Sequence, residues 1–213
     1  MLLTGLSWSA LSAADPELDQ PSPRRPLRVK PIFAYTTYKP VPQRSWRSWG
    51  GIQTQEDVDG EIERIKGELA KMESMADFPV EFLPLAAVRS PQEVAAQDDA
   101  KEADVVLIYA ANGSAATLEA ARKLGKDNVF FVRHRSGPVS LWYEIISPRY
   151  LRQHTDELKL EGVDFDDVVV DELGDVVWRL RALCGLHNTL GSRIVCIGGA
   201  GGWAQPRDVV PNL

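Results

Sequence analysis

Between a strand-like run and a strongly capped helix the chain reads Thr36-Thr37-Tyr38-Lys39-Pro40-Val41-Pro42-Gln43-Arg44-Ser45-Trp46-Arg47-Ser48-Trp49-Gly50-Gly51. Two Trp, two Arg, a Tyr and a Lys stand where connections usually carry short polar turn residues. Aromatic faces accept the C–H side of a ligand, and guanidinium and amide groups bond its oxygens. Indole beside guanidinium therefore suits a polyol such as a sugar, with Arg44, Trp46, Arg47 and Trp49 as its contacts. The same residues admit another reading, in which Trp46 and Trp49 fold back over the domain's own core, because bulky aromatics usually bury themselves. Spacing alone does not choose between the two.

Three further segments carry groups that suit a cleft. Asn112-Gly113-Ser114 turns the chain from a strand into a helix and brings Asn112 to the candidate substrate-binding set. Arg133-His134-Arg135-Ser136-Gly137-Pro138 offers fixed charges and an imidazole, and His134 and Arg135 join the set. The alternative for this triplet is arginines that hold the sheet edge by ion pairs. The glycine run Gly198 to Gly202 fails G-x-G-x-x-G from Gly198 and meets only its looser form from Gly199, with Gly201 and Ala204. Pro206 follows where a helix should begin, and no phosphate fingerprint follows the first strand, so no nucleotide is expected. His187 lies three residues after Cys184 and reads as a core or helix-end histidine. Asp164, Asp166, Asp167 and Asp171 lack the Gly and closing Glu of a calcium loop and read as a solvated loop. There is no G-x-S-x-G elbow. No catalytic residue and no metal ligand is assigned within the chain.

The elements that must position these residues alternate. Arg28 to Tyr35 is the first strand, with Pro31 marking a strand start or bulge. Thr54 caps a helix of about five turns whose apolar stripe is Val58, Ile62, Ile65, Leu69, Met72 and Met75. Glu61, Arg64, Glu68 and Lys71 are read as its solvated face. Val80 to Val88 is a second strand, and Ser90-Pro91-Gln92-Glu93 opens a short helix ending near Glu102. Asp104 to Ala111 is a strand covered on both faces, followed by a helix to Leu124 that Gly125 ends. Asn128 to Val132 is the fourth strand. Val139 to Ile146 is strand or helix, Ser147-Pro148 starts a helix through Leu158, and Val168 to Val170 is a short strand or a helix lead-in. Leu173, Val176, Val177, Leu180, Leu183 and Cys184 define a last helix, and Arg193 to Ile197 a last strand. The alternation predicts an α/β fold, flavodoxin-like or Rossmann-like, with a mainly parallel sheet and helices on both faces. Residues 1–26 read as a disordered tail or signal remnant plus linker, 27–192 as the α/β domain and 193–213 as the start of a second, truncated domain.

A net charge of −6 argues against nucleic acid as the main partner, and no apolar run is long enough to span a bilayer. The two cysteines, Cys184 and Cys196, read as small buried hydrophobes. Three segments resemble a family: Ser45 to Gly51, Val132 to Pro138, and Asn188 to Arg193 leading into Gly198 to Trp203. From Leu27 onward the chain is similar to the N-terminal part of sugar isomerases related to L-fucose and L-arabinose isomerase. The resemblance implies an aldose–ketose isomerase that uses a divalent metal, usually manganese, held by two carboxylates and a histidine of later domains. It also implies a homo-oligomer in which this first domain lends Arg and aromatic contacts, often to a neighbouring subunit. Arg44, Trp46, Arg47 and Trp49 match that role here. Such a domain alone is expected to be inactive. The rival expectation is the sugar-binding lobe of a two-lobed periplasmic binding protein. A cytoplasmic location goes with the first reading, and export with a signal at Met1 to Ala14.

Overall fold

A computed structural model describes residues 24–37, 42, 52–111, 113–133, 148–151, 157 and 159–190. The organising strand is β1 (Leu27–Ala34), which pairs in parallel on both of its sides. On one side lies β4 (Val105–Tyr109), then β5 (Asp127–Val132), then β6 (Val168–Val170), each parallel to the last. On the other side lie two short strands end to end. β2 (Val80–Phe82) pairs with Leu27 to Val29, and β3 (Ala86–Val88) with Ile32 to Ala34. Counted as one interrupted strand, β2 and β3 complete the flavodoxin-like order expected from the alternation.

The interruption has a local cause. Leu27 and Tyr35 donate their N–H groups to Pro79 and Val88, and Val29 accepts from Leu83, so alternate residues of β1 face this side. Pro31 falls on the same side and has no N–H to give. The strand expected over Val80 to Val88 breaks at Leu83, Pro84 and Leu85, opposite that missing donor. The buried Lys30 ammonium donates instead to the Pro84 carbonyl at 2.8 Å and to Asp99 at 2.6 Å. Pro31 is thus neither a strand start nor a bulge but sits inside a central strand.

Two helices cover one face. α1 (Gln55–Met75) opens with a capping box in which Thr54 accepts from the Asp57 N–H and Asp57 accepts from Thr54. It buries Val58, Ile65, Leu69 and Met72, while Met75, assigned to the stripe, is 45% exposed. The other face carries α2 (Pro91–Ala95), capped by Ser90, and α3 (Ala115–Arg122), capped by Ser114. Gly125 follows α3 at φ 73°, a conformation that favours glycine. α4 (Pro148–Leu151) also lies on this side, through Tyr150 and Leu151. The helix expected through Leu158 does not reach Glu157, which lies in a bend, and Lys159 and Leu160 both donate back to the Leu151 carbonyl. α5 (Leu173–Thr189) joins α1 on the first face through Val176, Leu180, Leu183 and Cys184. Cys184 is buried as expected. The strand expected at Arg193 to Ile197, the second-domain boundary and the ambiguous segment Val139 to Ile146 lie outside the described residues.

Gly113 marks the tightest approach between the β4–α3 turn and β1. A Cβ there would stand 2.7 Å from the Ala34 Cβ and 2.9 Å from the Ala34 carbonyl carbon and oxygen. Backbone cannot yield cheaply, so Gly113→Ala is expected to cost roughly 1–3 kcal/mol, as overpacking does. Urea melts should show a lower midpoint with an unchanged slope; a midpoint at or above wild type would refute the contact.

Candidate functional site

In a sheet of this order the crevice lies outside the carboxyl ends of the strands where the connections part in opposite directions, here between β1 and β4. The chain between Tyr35 and Ile52 leaves and returns at this edge. Both end residues are buried in the same core; Tyr35 stacks on Phe33 at 5.0 Å and donates its N–H to Val88. The seven residues assigned to substrate contact are Arg44, Trp46, Arg47, Trp49, Asn112, His134 and Arg135, and all of them lie outside the described residues. Their flanks are described. Ala111 and Gly113 bracket Asn112 at the end of β4, and Arg133 precedes His134 at the end of β5.

Arg133 takes the ion-pair reading of its triplet. Alternation along β5 places Val129, Phe131 and Arg133 on the face that α1 covers. The guanidinium is buried, with Nη2 at 2.7 Å from Glu68 Oε2 and Nη1 at 3.3 Å from Glu61 Oε1. Its Cζ lies 6.0 Å from the Tyr109 ring centroid and 5.9 Å from that of Phe131. Arg64 ties the same two carboxylates from the helix side, at 2.5 Å to Glu61 and 3.1 Å to Glu68. The assignment of Glu61, Arg64 and Glu68 to a solvated face is therefore wrong; only Lys71 of that group is exposed. The missed signal was spacing. Glu61 and Glu68 alternate with Ile65 and Met72 at four- and three-residue steps, which places both acids on the buried stripe.

Burial is the main influence on Glu68 and pushes its carboxyl from 4.5 up to about 7. Arg64 opposes that rise, and the neighbouring Glu61 adds to it. The Tyr109 hydroxyl is buried near these charges and has no hydrogen-bond partner among the described residues. Burial, with Glu68 next, holds it well above the ordinary tyrosine range. A cavity of about 610 Å³ opens beside the cluster, between α1 at Arg64, Glu68 and Lys71 and the β6–α5 turn at Asp171 to Gly174. Asp171 adopts a left-handed φ of 61° and donates its N–H to Val132, the residue before Arg133.

The remaining assignments resolve as structure. His187 bonds Asp127 at 2.9 Å near the end of α5. Asp164 and Asp167 cap a single 3-10 turn, and Asp167 also pairs with Arg179 at 2.6 Å. Among the described residues no three of His, Cys, Asp and Glu converge as metal ligands. The two carboxylates that do converge, Glu61 and Glu68, are bridged by guanidinium groups, which does not fit a cation site. Among the described residues no helix is long and apolar enough to cross a membrane. No protein-family model, curated protein or solved structure matches the chain.

Two outcomes are expected. Arg133→Met leaves the buried Glu61 and the half-buried Glu68 with one guanidinium fewer, and should cost about 3 kcal/mol in denaturant melts. A loss below 1 kcal/mol would mean that the pairs contribute nothing net. The second outcome concerns pH. The folded state holds a proton on Glu68 between about 4.5 and about 7, where the unfolded chain does not. That contribution is full below 4.5 and is lost as pH rises through about 7. Melting temperature should therefore fall from pH 5.5 to pH 8, and Glu68→Gln should flatten the fall; an equal slope in both proteins would refute the assignment.

Proposed function

We propose that this α/β domain lends substrate contacts to a metal-dependent aldose–ketose isomerase related to the L-fucose and L-arabinose isomerases. The observation that supports the reading best is the strand order. β1, β4 and β5 are neighbours, run parallel and end at one edge. The chain leaves these three ends into the segments that bear Arg44 to Trp49, Asn112, and His134 with Arg135. Trp46 and Trp49 would cover the C–H face of the sugar, and Arg44, Arg47, Asn112, His134 and Arg135 would bond its oxygens. The reading leaves the divalent metal, manganese in the family resembled, to side chains beyond the described residues. A homo-oligomer in which a neighbouring copy completes the site belongs to the same proposal.

The test is a calorimetric titration of the chain with L-fucose and L-arabinose, with melting curves on the same samples. Trp46→Ala and Arg47→Ala should each weaken binding roughly tenfold or more, about 1.4 kcal/mol, with little change in melting temperature. If the Trp pair is a lid, Trp46→Ala should instead cost about 3 kcal/mol or more of stability and leave affinity alone. Saturable binding by the full-length protein without metal-dependent interconversion would move the reading to a sugar-binding lobe.

A further inference from the structure

We propose that Arg133 is a positioning residue for the sugar-binding edge. It clamps the carboxyl end of β5 to the middle of α1, at Glu61 and Glu68, on the helix that follows the Trp- and Arg-rich segment. The proposal rests on the functional reading above and adds a residue that it did not contain.

A guanidinium with no exposed side-chain surface stands at the mouth of a parallel sheet, where an apolar side chain would fill the same space without desolvating a charge. Buried ion pairs of this kind are weak contributors to stability, and their best-attested use is to fix one arrangement among several. The geometry here suits such a use. Glu61 and Glu68 lie two turns apart on one side of α1, and the planar fork of Arg133 spans them, so sliding or rotating the helix breaks at least one pair. The Tyr109 and Phe131 rings flank the guanidinium from the strands. On the far side the Asp171 N–H holds the Val132 carbonyl, so the end of β5 is gripped from α1 and from the β6–α5 turn at once. Two residues removed from this grip along the chain stands Arg135, and three residues before α1 stands Ile52, which closes the aromatic segment.

The charged and titratable groups around the clamp are Glu61, Arg64, Glu68 and Lys71 on α1, Tyr109 on β4, and Asp171 and Glu172 across the cavity. Below neutral pH a protonated Glu68 no longer answers Arg133 with a full charge. Sugar affinity should therefore weaken from pH 8 to pH 6.

The deciding experiment replaces the whole cluster by apolar side chains of similar bulk, Glu61→Leu, Glu68→Met and Arg133→Met together, in the full chain. Such swaps often preserve stability, so the fold is kept while the clamp is removed. Two readouts are taken: amide hydrogen exchange along the chain, and affinity for L-fucose and L-arabinose at pH 6 and pH 8. The proposal expects at least about tenfold faster exchange confined to Ile52 to Val58. It also expects at least about tenfold weaker sugar binding, and loss of the pH dependence. Unchanged exchange at Ile52 to Val58, or a rise spread equally over β1, β4 and β5, overturns it. Should the triple variant fail to fold, Arg133→Lys decides, because an ammonium keeps the charge but lacks the fork that spans both carboxylates. Wild-type exchange and affinity in that variant would overturn the clamp. If the wild type binds neither sugar, the functional reading falls and the local exchange alone decides the clamp.

Discussion

Everything in the sheet is arranged around β1 and the hydrogen-bond donor it lacks. A central strand normally excludes proline, because each residue must serve a neighbour. Pro31 is tolerated because the residues on its deprived side do not ask for that donor. β2 ends at Phe82 and β3 begins at Ala86, and between them the Pro84 carbonyl turns to Lys30. On the other side, Pro31 stands in register with Leu107 and the ladder to β4 runs unbroken from Val29 to Phe33. The flaw is thus confined to the edge of the sheet, and the junction between β1 and β4, the switch point of the strand order, keeps its full pairing.

That distribution explains why two buried charges sit where they do. Lys30 lies on the α2 and α3 face and mends the edge that Pro31 disturbs, with Asp99 supplying the countercharge at 2.6 Å. Arg133 lies on the α1 face at the far end of the strands, with two carboxylates for countercharge. Each burial is costly on its own and acceptable once its ionic partners and hydrogen bonds are in place. Lys30 repairs a backbone, whereas Arg133 joins two elements whose own backbones need no repair. The second arrangement is therefore the one that calls for a role beyond the ladder.

Much of the fold was legible because local signals agreed with each other. Thr54, Ser90 and Ser114 cap the helices that the apolar stripes announced, and Val105 to Tyr109 is buried throughout, as a strand covered on both faces must be. The break at Leu83 to Leu85 was not legible, because its cause, Pro31, sits far back in the sequence on a neighbouring strand. The ion cluster was half legible. The alternatives for Arg133 include edge ion pairs, but its partners read as a solvated face, since charges on a helix usually are one. The segments bearing the sugar-contact candidates carried the clearest chemical signal in the sequence, yet no helical or strand periodicity accompanies it.

A segment rich in Trp and Arg can act on a ligand only if something else fixes where it starts and stops. Here the start is Tyr35, buried and stacked on Phe33, and the stop is Ile52, buried in the same core two residues before the Thr54 cap. Those two anchors do not by themselves fix the azimuth of the helix that follows, because apolar contacts tolerate rotation better than paired charges do. Glu61 and Glu68, drawn to one guanidinium at the end of β5, remove that remaining freedom. The apolar core thus fixes where the Trp- and Arg-rich segment leaves and rejoins the domain, and the buried ion cluster fixes the azimuth of the helix that follows it.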